Sequence, residues 1–141
     1  IPAIVDAITN AAQSVQRYPD PASIRLRTKL ANKYKVGIEN IQVGTGSVAV
    51  LTQLIQASST VGNEVIFAWR SFEAYPIITK VAGATPVMIP LTKTFEHDLD
   101  AMAKAVTSKT SCILLCSPNN PTGPAIKKEA FLKLFSPSAM A

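Results

Sequence analysis

Residues 111–123 read Ser-Cys-Ile-Leu-Leu-Cys-Ser-Pro-Asn-Asn-Pro-Thr-Gly. Residues 111–116 are largely apolar and too few for an ordinary helix, which suits a strand covered on both faces. Residues 117–123 stop it at once. Pro118 and Pro121 fix φ around Asn119 and Asn120, so both amides are held rigidly. An Asn amide offers donor and acceptor together, which suits a phenolate or hydroxyl oxygen on a flat heteroaromatic ring. Asn-Pro is also ordinary turn chemistry. The specific feature is the whole heptapeptide placed directly after an apolar strand.

The same rhythm extends upstream. Residues 41–43, 64–68 and 85–89 read as strands, residues 48–59, 72–82 and 100–106 as helices, and a last helix begins near Lys127. Gly83 is expected to close the helix over 72–82. This alternation predicts an α/β fold, a three-layer α/β/α arrangement with a mostly parallel sheet. Ligands bind at the carboxyl ends of strands in such sheets, so the turns after Val43, Ala68 and Cys116 are expected along one edge. Two helices come before the alternation. Ile4, Ala7, Ile8, Ala11, Ala12 and Val15 have helical spacing over residues 3–15, as do Ile24, Leu26, Leu30, Ala31 and Tyr34 over residues 22–35. Tyr18-Pro19-Asp20-Pro21 separates them, with Ser23 expected to cap the second helix and Gly37 to end it.

Composition narrows the class. The chain has 141 residues, 48% hydrophobic and 16% charged. A chain of this length can bury roughly 68–70% of its unfolded surface, and such low charge excludes a disordered polymer. No apolar run approaches the ~20 residues that span a bilayer, so no membrane partner is expected. No charged segment followed by an apolar one opens the sequence, so no secretory signal is read. Cys112 and Cys116 lie in an apolar run and read as buried thiols of a cytoplasmic protein. His97 is the single histidine, so neither a multi-His metal site nor a catalytic Cys–His pair is read, and no metal is expected. The net charge of +5 comes from scattered lysines and arginines without interleaved aromatics. That pattern argues for solvated surface, with attraction for a small anion, rather than for nucleic acid.

Two further turns carry chemistry. Gly44-Thr45-Gly46-Ser47 precedes a helix, where unpaired N–H groups and the helix dipole favour an anion. With Ala49 the turn also satisfies the dinucleotide pattern G-x-G-x-x-A, and the glycines equally serve a plain strand–helix turn. A nucleotide-binding Rossmann module therefore stays open as a rival. Against it, two helices precede the glycine turn, the acidic Glu64 comes before the second strand rather than after it, and residues 117–123 are left unexplained. Arg70 could still serve a ribose phosphate in that reading. The third turn is Trp69-Arg70-Ser71-Phe72-Glu73-Ala74-Tyr75. Phe72 stands where its ring either stacks on a planar ligand or packs in the core, while Trp69 and Tyr75 read as packing residues.

Taken in order, Tyr18-Pro19-Asp20-Pro21, the Gly44–Ser47 turn and its helix, Arg70–Tyr75, Gly83-Ala84-Thr85, His97–Met102 and Pro118–Gly123 resemble the fold-type-I, pyridoxal-phosphate-dependent aminotransferases. The pattern is similar to that of the histidinol-phosphate aminotransferase family, and residues 68–75 look like its aromatic (phenylalanine) branch in actinobacteria. The resemblance runs from about Ile4 to about Leu134. It implies the large domain of that fold, incomplete, with pyridoxal 5'-phosphate as cofactor. Gly46, Ser47 and Val48 would offer backbone N–H groups to the cofactor phosphate. Phe72 would stack on the pyridine ring and Asn120 would hydrogen-bond the ring 3'-oxygen. Tyr18 would reach the phosphate of the other subunit's cofactor, which implies a homodimer. The substrates implied are an amino acid, phenylalanine, tyrosine or histidinol phosphate, and a 2-oxo acid.

The chain departs from the family in ways that shape the expectation. Val48-Ala49 stands where the family usually has Asp-Glu; the backbone N–H groups still serve, but any carboxylate role is lost. The Schiff-base lysine, the aspartate facing the pyridine nitrogen and the arginine gripping the substrate carboxylate belong to segments that do not occur here. Lys127 and Lys128 follow the Asn-Pro-Thr-Gly turn too soon to stand in for that lysine, so no catalytic residue is assigned. The organisation expected is N-terminal helices and turn over 1–36, a partial cofactor domain over 37–135 and an atypical tail over 136–141. The expectation is a fragment, inactive alone and with an open sheet edge that favours association. A non-catalytic, frameshifted product is the remaining alternative.

Overall fold

The computed structural model describes residues 1–134, so the tail expected over 136–141 lies outside the described residues. The chain divides into two compact units, residues 1–43 and residues 44 onward.

The first unit is helical. Helix α1 (Pro2–Ala12) opens with proline in its first turn, where a missing N–H costs nothing, and buries none of its residues. Helix α2 (Ile24–Tyr34) is started by Asp20 rather than by Ser23. The Asp20 carboxylate accepts from the N–H groups of Ala22 (3.0 Å) and Ile24 (2.6 Å). Ser23 has left-handed backbone (φ 49°) and its side chain caps nothing, because a capping hydroxyl needs extended backbone and a charged acceptor is the stronger one. Lys35, not Gly37, ends the helix. It takes the left-handed conformation (φ 55°), and the Val36 N–H closes back on the Ala31 carbonyl. Gly37 instead leads into a single 3-10 turn over Ile38–Asn40.

The strand expected at 41–43 does not form. Ile41 is extended (φ −112°, ψ 115°), but no strand pairs with it among the described residues. Extended backbone becomes a strand only when a neighbour takes its polar groups. Here the Arg27 guanidinium takes them, donating to the carbonyls of Ile41 (2.8 Å) and Ile38 (2.9 Å).

The second unit carries the alternation. Helix α3 (Ser47–Ser58) leads to strand β1 (Glu64–Trp69), α4 (Ala74–Val81) to β2 (Thr85–Pro90), and α5 (Leu99–Lys104) to β3 (Thr110–Leu114); α6 (Lys128–Leu134) follows. The sheet has the order β2-β1-β3, all parallel, with Glu64 opposite Thr85 and Phe67 opposite Leu114. β1 suits the central place because its four inner residues, 65–68, are apolar. Val65, Ile66, Phe67 and Ala68 expose nothing. Val65 and Phe67 point to one face, against Ile55 of α3 and Tyr75 and Ile78 of α4. Ile66 and Ala68 point to the other, against Met102 of α5. The expected three layers follow from this alternation of side chains. Burial of each large apolar side chain contributes roughly 1.5–3 kcal/mol.

Helix ends are set locally. The Asp98 carboxylate caps α5 by accepting from the Ala101 N–H (2.9 Å), so the helix begins one residue earlier than expected. Gly83 closes α4 at φ 81°, a conformation that suits glycine. Among the described residues, no helix is long and apolar enough to cross a membrane.

His97, just before that cap, is 8% exposed and its Nε2 finds no partner among the described residues. Burial lowers its pKa from the ordinary 6.5. The unfolded chain takes a proton near pH 6.5 while the folded chain resists it, so stability present above that pH is lost as the pH falls towards the folded value. The melting temperature is expected to drop from about pH 7.5 to about pH 5.5, and His97→Gln to flatten that dependence. An unchanged melt over the window would show the imidazole to be accessible.

Candidate active site at the carboxyl edge

The three strands run parallel, so their carboxyl ends share one edge. α3 enters from that edge. Its far end is fixed at the opposite edge, where the Ser59 hydroxyl lies 2.7 Å from that of Ser111 at the start of β3. Twelve helical residues span about 18 Å, nearly the length of β1 at about 20 Å. The first turn of α3, with Ser47 and Val48, therefore stands at the carboxyl edge. Gly46 is the N-cap and no side chain caps the helix. Its backbone (φ 85°, ψ 170°) lies in a region open almost only to glycine, and a Cβ there would meet nothing within 4 Å. Gly46, Ser47 and Val48 are all exposed. The result is an uncapped, accessible helix N-terminus that favours an anion.

The turn after β1 and the turn after β3 are hydrogen-bonded to each other. The Ser71 hydroxyl donates to Asn119 Oδ1 (2.7 Å). Asn119 Nδ2 donates to the Arg70 carbonyl (3.1 Å) and to Thr122 Oγ1 (2.8 Å). Thr122 in turn donates to the Phe95 carbonyl (2.9 Å). The backbone joins in: the Asn119 N–H donates to the Pro124 carbonyl and the Gly123 N–H to the Asn119 carbonyl. Asn119 is 3% exposed and Ser71 1%. Asn120, the residue assigned to a ligand by resemblance, is exposed beside this network and takes no part in it.

Phe72 is half-buried. Its ring meets Tyr75 edge-on, with centroids 5.6 Å apart and planes at 88°, and Tyr75 meets Phe67 in the same manner at 5.7 Å. Phe72 thus packs against the core and keeps part of its surface open. Burial pushes the Tyr75 phenol up to about 12, helped by the Cys116 thiol hydrogen-bonded beside it. Tyr75 is consequently a neutral packing residue across the physiological range. The Arg70 guanidinium lies over the Trp69 ring at 5.1 Å and pairs with Glu73 at 3.5 Å. Tyr18 is fully exposed in the first unit. Lys127 and Lys128 are exposed at the start of α6. Among the described residues, no group of three or more His, Cys, Asp or Glu side chains is arranged to hold a metal ion.

Sequence reasoning missed Ser71, Asn119 and Thr122. The doublet Asn119-Asn120 placed two amides in the turn without telling them apart. Which of the two turns in depends on where the Arg70 carbonyl and Ser71 hydroxyl lie, and those sit some fifty positions away in the chain.

A parallel α/β layer with an uncapped helix N-terminus at one end of its strands is a frame that receives a ligand carrying an anionic group. The chain belongs to the family of aminotransferases of class I and II, whose family model matches residues 1–138. It is 54% identical over 131 residues to an aromatic amino acid aminotransferase of Corynebacterium glutamicum, covering 93% of this chain and 38% of that protein. It is 52% identical over 126 residues to one of Rhodococcus opacus, covering 89% and 35%. The chain thus spans little more than a third of the length of these relatives. Among solved structures, it superposes on a histidinol-phosphate aminotransferase from Sinorhizobium meliloti in complex with pyridoxal-5'-phosphate. The TM-score is 0.85 at 23% identity, over 100% of this chain and 38% of that one, which shows the fold. An aspartate aminotransferase from Thermus thermophilus gives 0.83 at 28% identity over 93% and 37%.

Gly46→Ala is expected to lower stability by about 1–3 kcal/mol through backbone strain alone, because the added methyl touches nothing. Urea denaturation measures it, and an unchanged midpoint would mean that the turn relaxes freely.

Proposed function

We propose that this chain carries part of the cofactor domain of an aromatic amino acid aminotransferase, which moves an amino group between phenylalanine or tyrosine and a 2-oxo acid. The observation that carries this reading is 54% identity, over 93% of the chain, to a relative of that name. Histidinol phosphate is the weaker substrate reading, since the likeness to the Sinorhizobium meliloti enzyme at 23% identity concerns the fold. The proposed organisation is N-terminal helices over 1–36 and partial cofactor domain from 37 onward, in a cytoplasmic homodimer.

Pyridoxal 5'-phosphate fits the residues present. The uncapped N-terminus of α3, with open space beside Gly46, suits a phosphate held by the backbone N–H groups of Ser47 and Val48. Phe72 offers a ring face to the pyridine, and the exposed Asn120 amide offers a donor to its ring oxygen. Tyr18 would serve the partner's cofactor. When bound, the cofactor supplies the electron sink for breaking the bond to the α-hydrogen. This chain's share of the work is to bind and orient: dipole against phosphate, aromatic face against ring, amide against oxygen. Proton transfer falls to a lysine of the kind that this chain lacks in the expected context.

The test is a chimera in which this chain's residues replace the 131 aligned residues of the Corynebacterium glutamicum relative. The chimera is expected to bind pyridoxal 5'-phosphate and to transaminate phenylalanine in preference to histidinol phosphate. A folded chimera that binds no cofactor overturns the whole reading, and one that prefers histidinol phosphate overturns the substrate. The 141-residue chain alone is expected to show no turnover. A borohydride-reducible adduct at one lysine, accompanied by turnover, would refute that expectation.

A further inference from the structure

We propose that Asn119 is the positioning residue of the cofactor edge: its buried amide clamps the turn after β1 to the turn after β3 and so sets Phe72 and Asn120 against each other before any ligand arrives. This rests on the reading of those two residues as cofactor contacts. The amide is fully used. Its Oδ1 accepts from Ser71, and both hydrogens of Nδ2 are donated, one to the Arg70 carbonyl and one to Thr122. One acceptor and two donors at the end of a short side chain describe asparagine and nothing else of that length. An aspartate would keep the bond from Ser71 but would face the Arg70 carbonyl with a second oxygen. An alanine would leave buried polar groups without partners on both turns.

Neighbouring residues inherit the geometry. Ser71 is turned inward to the clamp and Phe72 follows it. Asn119 is turned inward and Asn120 is thereby turned out, exposed. The backbone bonds from the Asn119 N–H to the Pro124 carbonyl and from the Gly123 N–H to the Asn119 carbonyl close the second turn around the same residue. Thr122 extends the tie to a third segment at Phe95. Holding two recognition groups in place beforehand removes the ordering cost that binding would otherwise carry. Asn119 therefore affects ligand affinity without touching the ligand.

Two experiments test this. In the 141-residue chain, Ser71→Ala alters the turn after β1 only. It is expected to speed amide exchange at Gly123, in the other turn, about tenfold, the loss of one buried hydrogen bond, while Ile66 in β1 keeps its protection. Ser71→Thr keeps the hydroxyl and is expected to restore slow exchange at Gly123. An unchanged Gly123 after Ser71→Ala overturns the clamp. In the chimera, binding is read with pyridoxamine 5'-phosphate, a form that makes no bond to lysine. Asn119→Asp and Asn120→Ala are each expected to weaken binding about tenfold, and the double variant little more than either alone, as for residues acting in series. Additive losses, or no loss from Asn119→Asp, overturn the positioning role. A chimera that fails to bind at all sinks the cofactor reading instead, and the exchange result in the chain still decides the clamp.

Discussion

The burial of β1 on both faces is the constraint from which the second unit follows. Val65, Ile66, Phe67 and Ala68 have no exposed surface, so each must be covered from the side to which it points. A strand with no exposed surface needs a paired neighbour on each edge, here β2 and β3, and helices above and below. α3 and α4 supply one cover through Ile55, Tyr75 and Ile78, and α5 supplies the other through Met102. Parallel pairing then follows from the helices, because a crossover through a packed helix returns the chain to the same end of the sheet.

That topology is also what makes a site. Parallel strands release their chain ends along one edge, so turns far apart in sequence are delivered side by side. The turn after β1 and the turn after β3 meet there, and Asn119 joins them through hydrogen bonds to Ser71 and the Arg70 carbonyl. α3 brings its N-terminus to the same edge with its first turn uncapped. A helix start without a capping side chain is a local cost in stability that is offset when an anion occupies it. The edge is thus rigid where it is hydrogen-bonded and receptive where it is left open. The polar side chains of Ser71 and Asn119 are buried and paired, while the first turn of α3 and the Asn120 amide are exposed.

The first unit obeys different rules. Its contacts are local: the Asp20 carboxylate starts α2, Lys35 ends it, and Arg27 holds the segment beyond through the carbonyls of Ile38 and Ile41. Apolar side chains such as Ile4, Val5 and Ile8 remain exposed on α1. This unit is organised by turn chemistry more than by a core, in contrast to the sheet.

What the sequence by itself determined was whatever depends on neighbours along the chain. The apolar run at 64–68, the strand that stops before Ser117-Pro118, the helix closed by Gly83 and the Asn-Pro-Thr-Gly turn are legible because period and breaker are local properties. The α/β class and the shared edge of the turns after β1 and β3 follow from that alternation. The tertiary structure decided what depends on a partner elsewhere. Residues 41–43 have strand-like composition, yet the Arg27 guanidinium and not a strand takes the Ile41 carbonyl, and no local rule reports that choice. Asp20 displaces Ser23 as a cap because the turn brings its carboxylate to two N–H groups at once. Asn119 and Asn120 are chemically identical and adjacent. Only the arrival of Ser71 and Arg70, through the pairing of β1 with β3, buries one in a hydrogen-bonded network and leaves the other exposed.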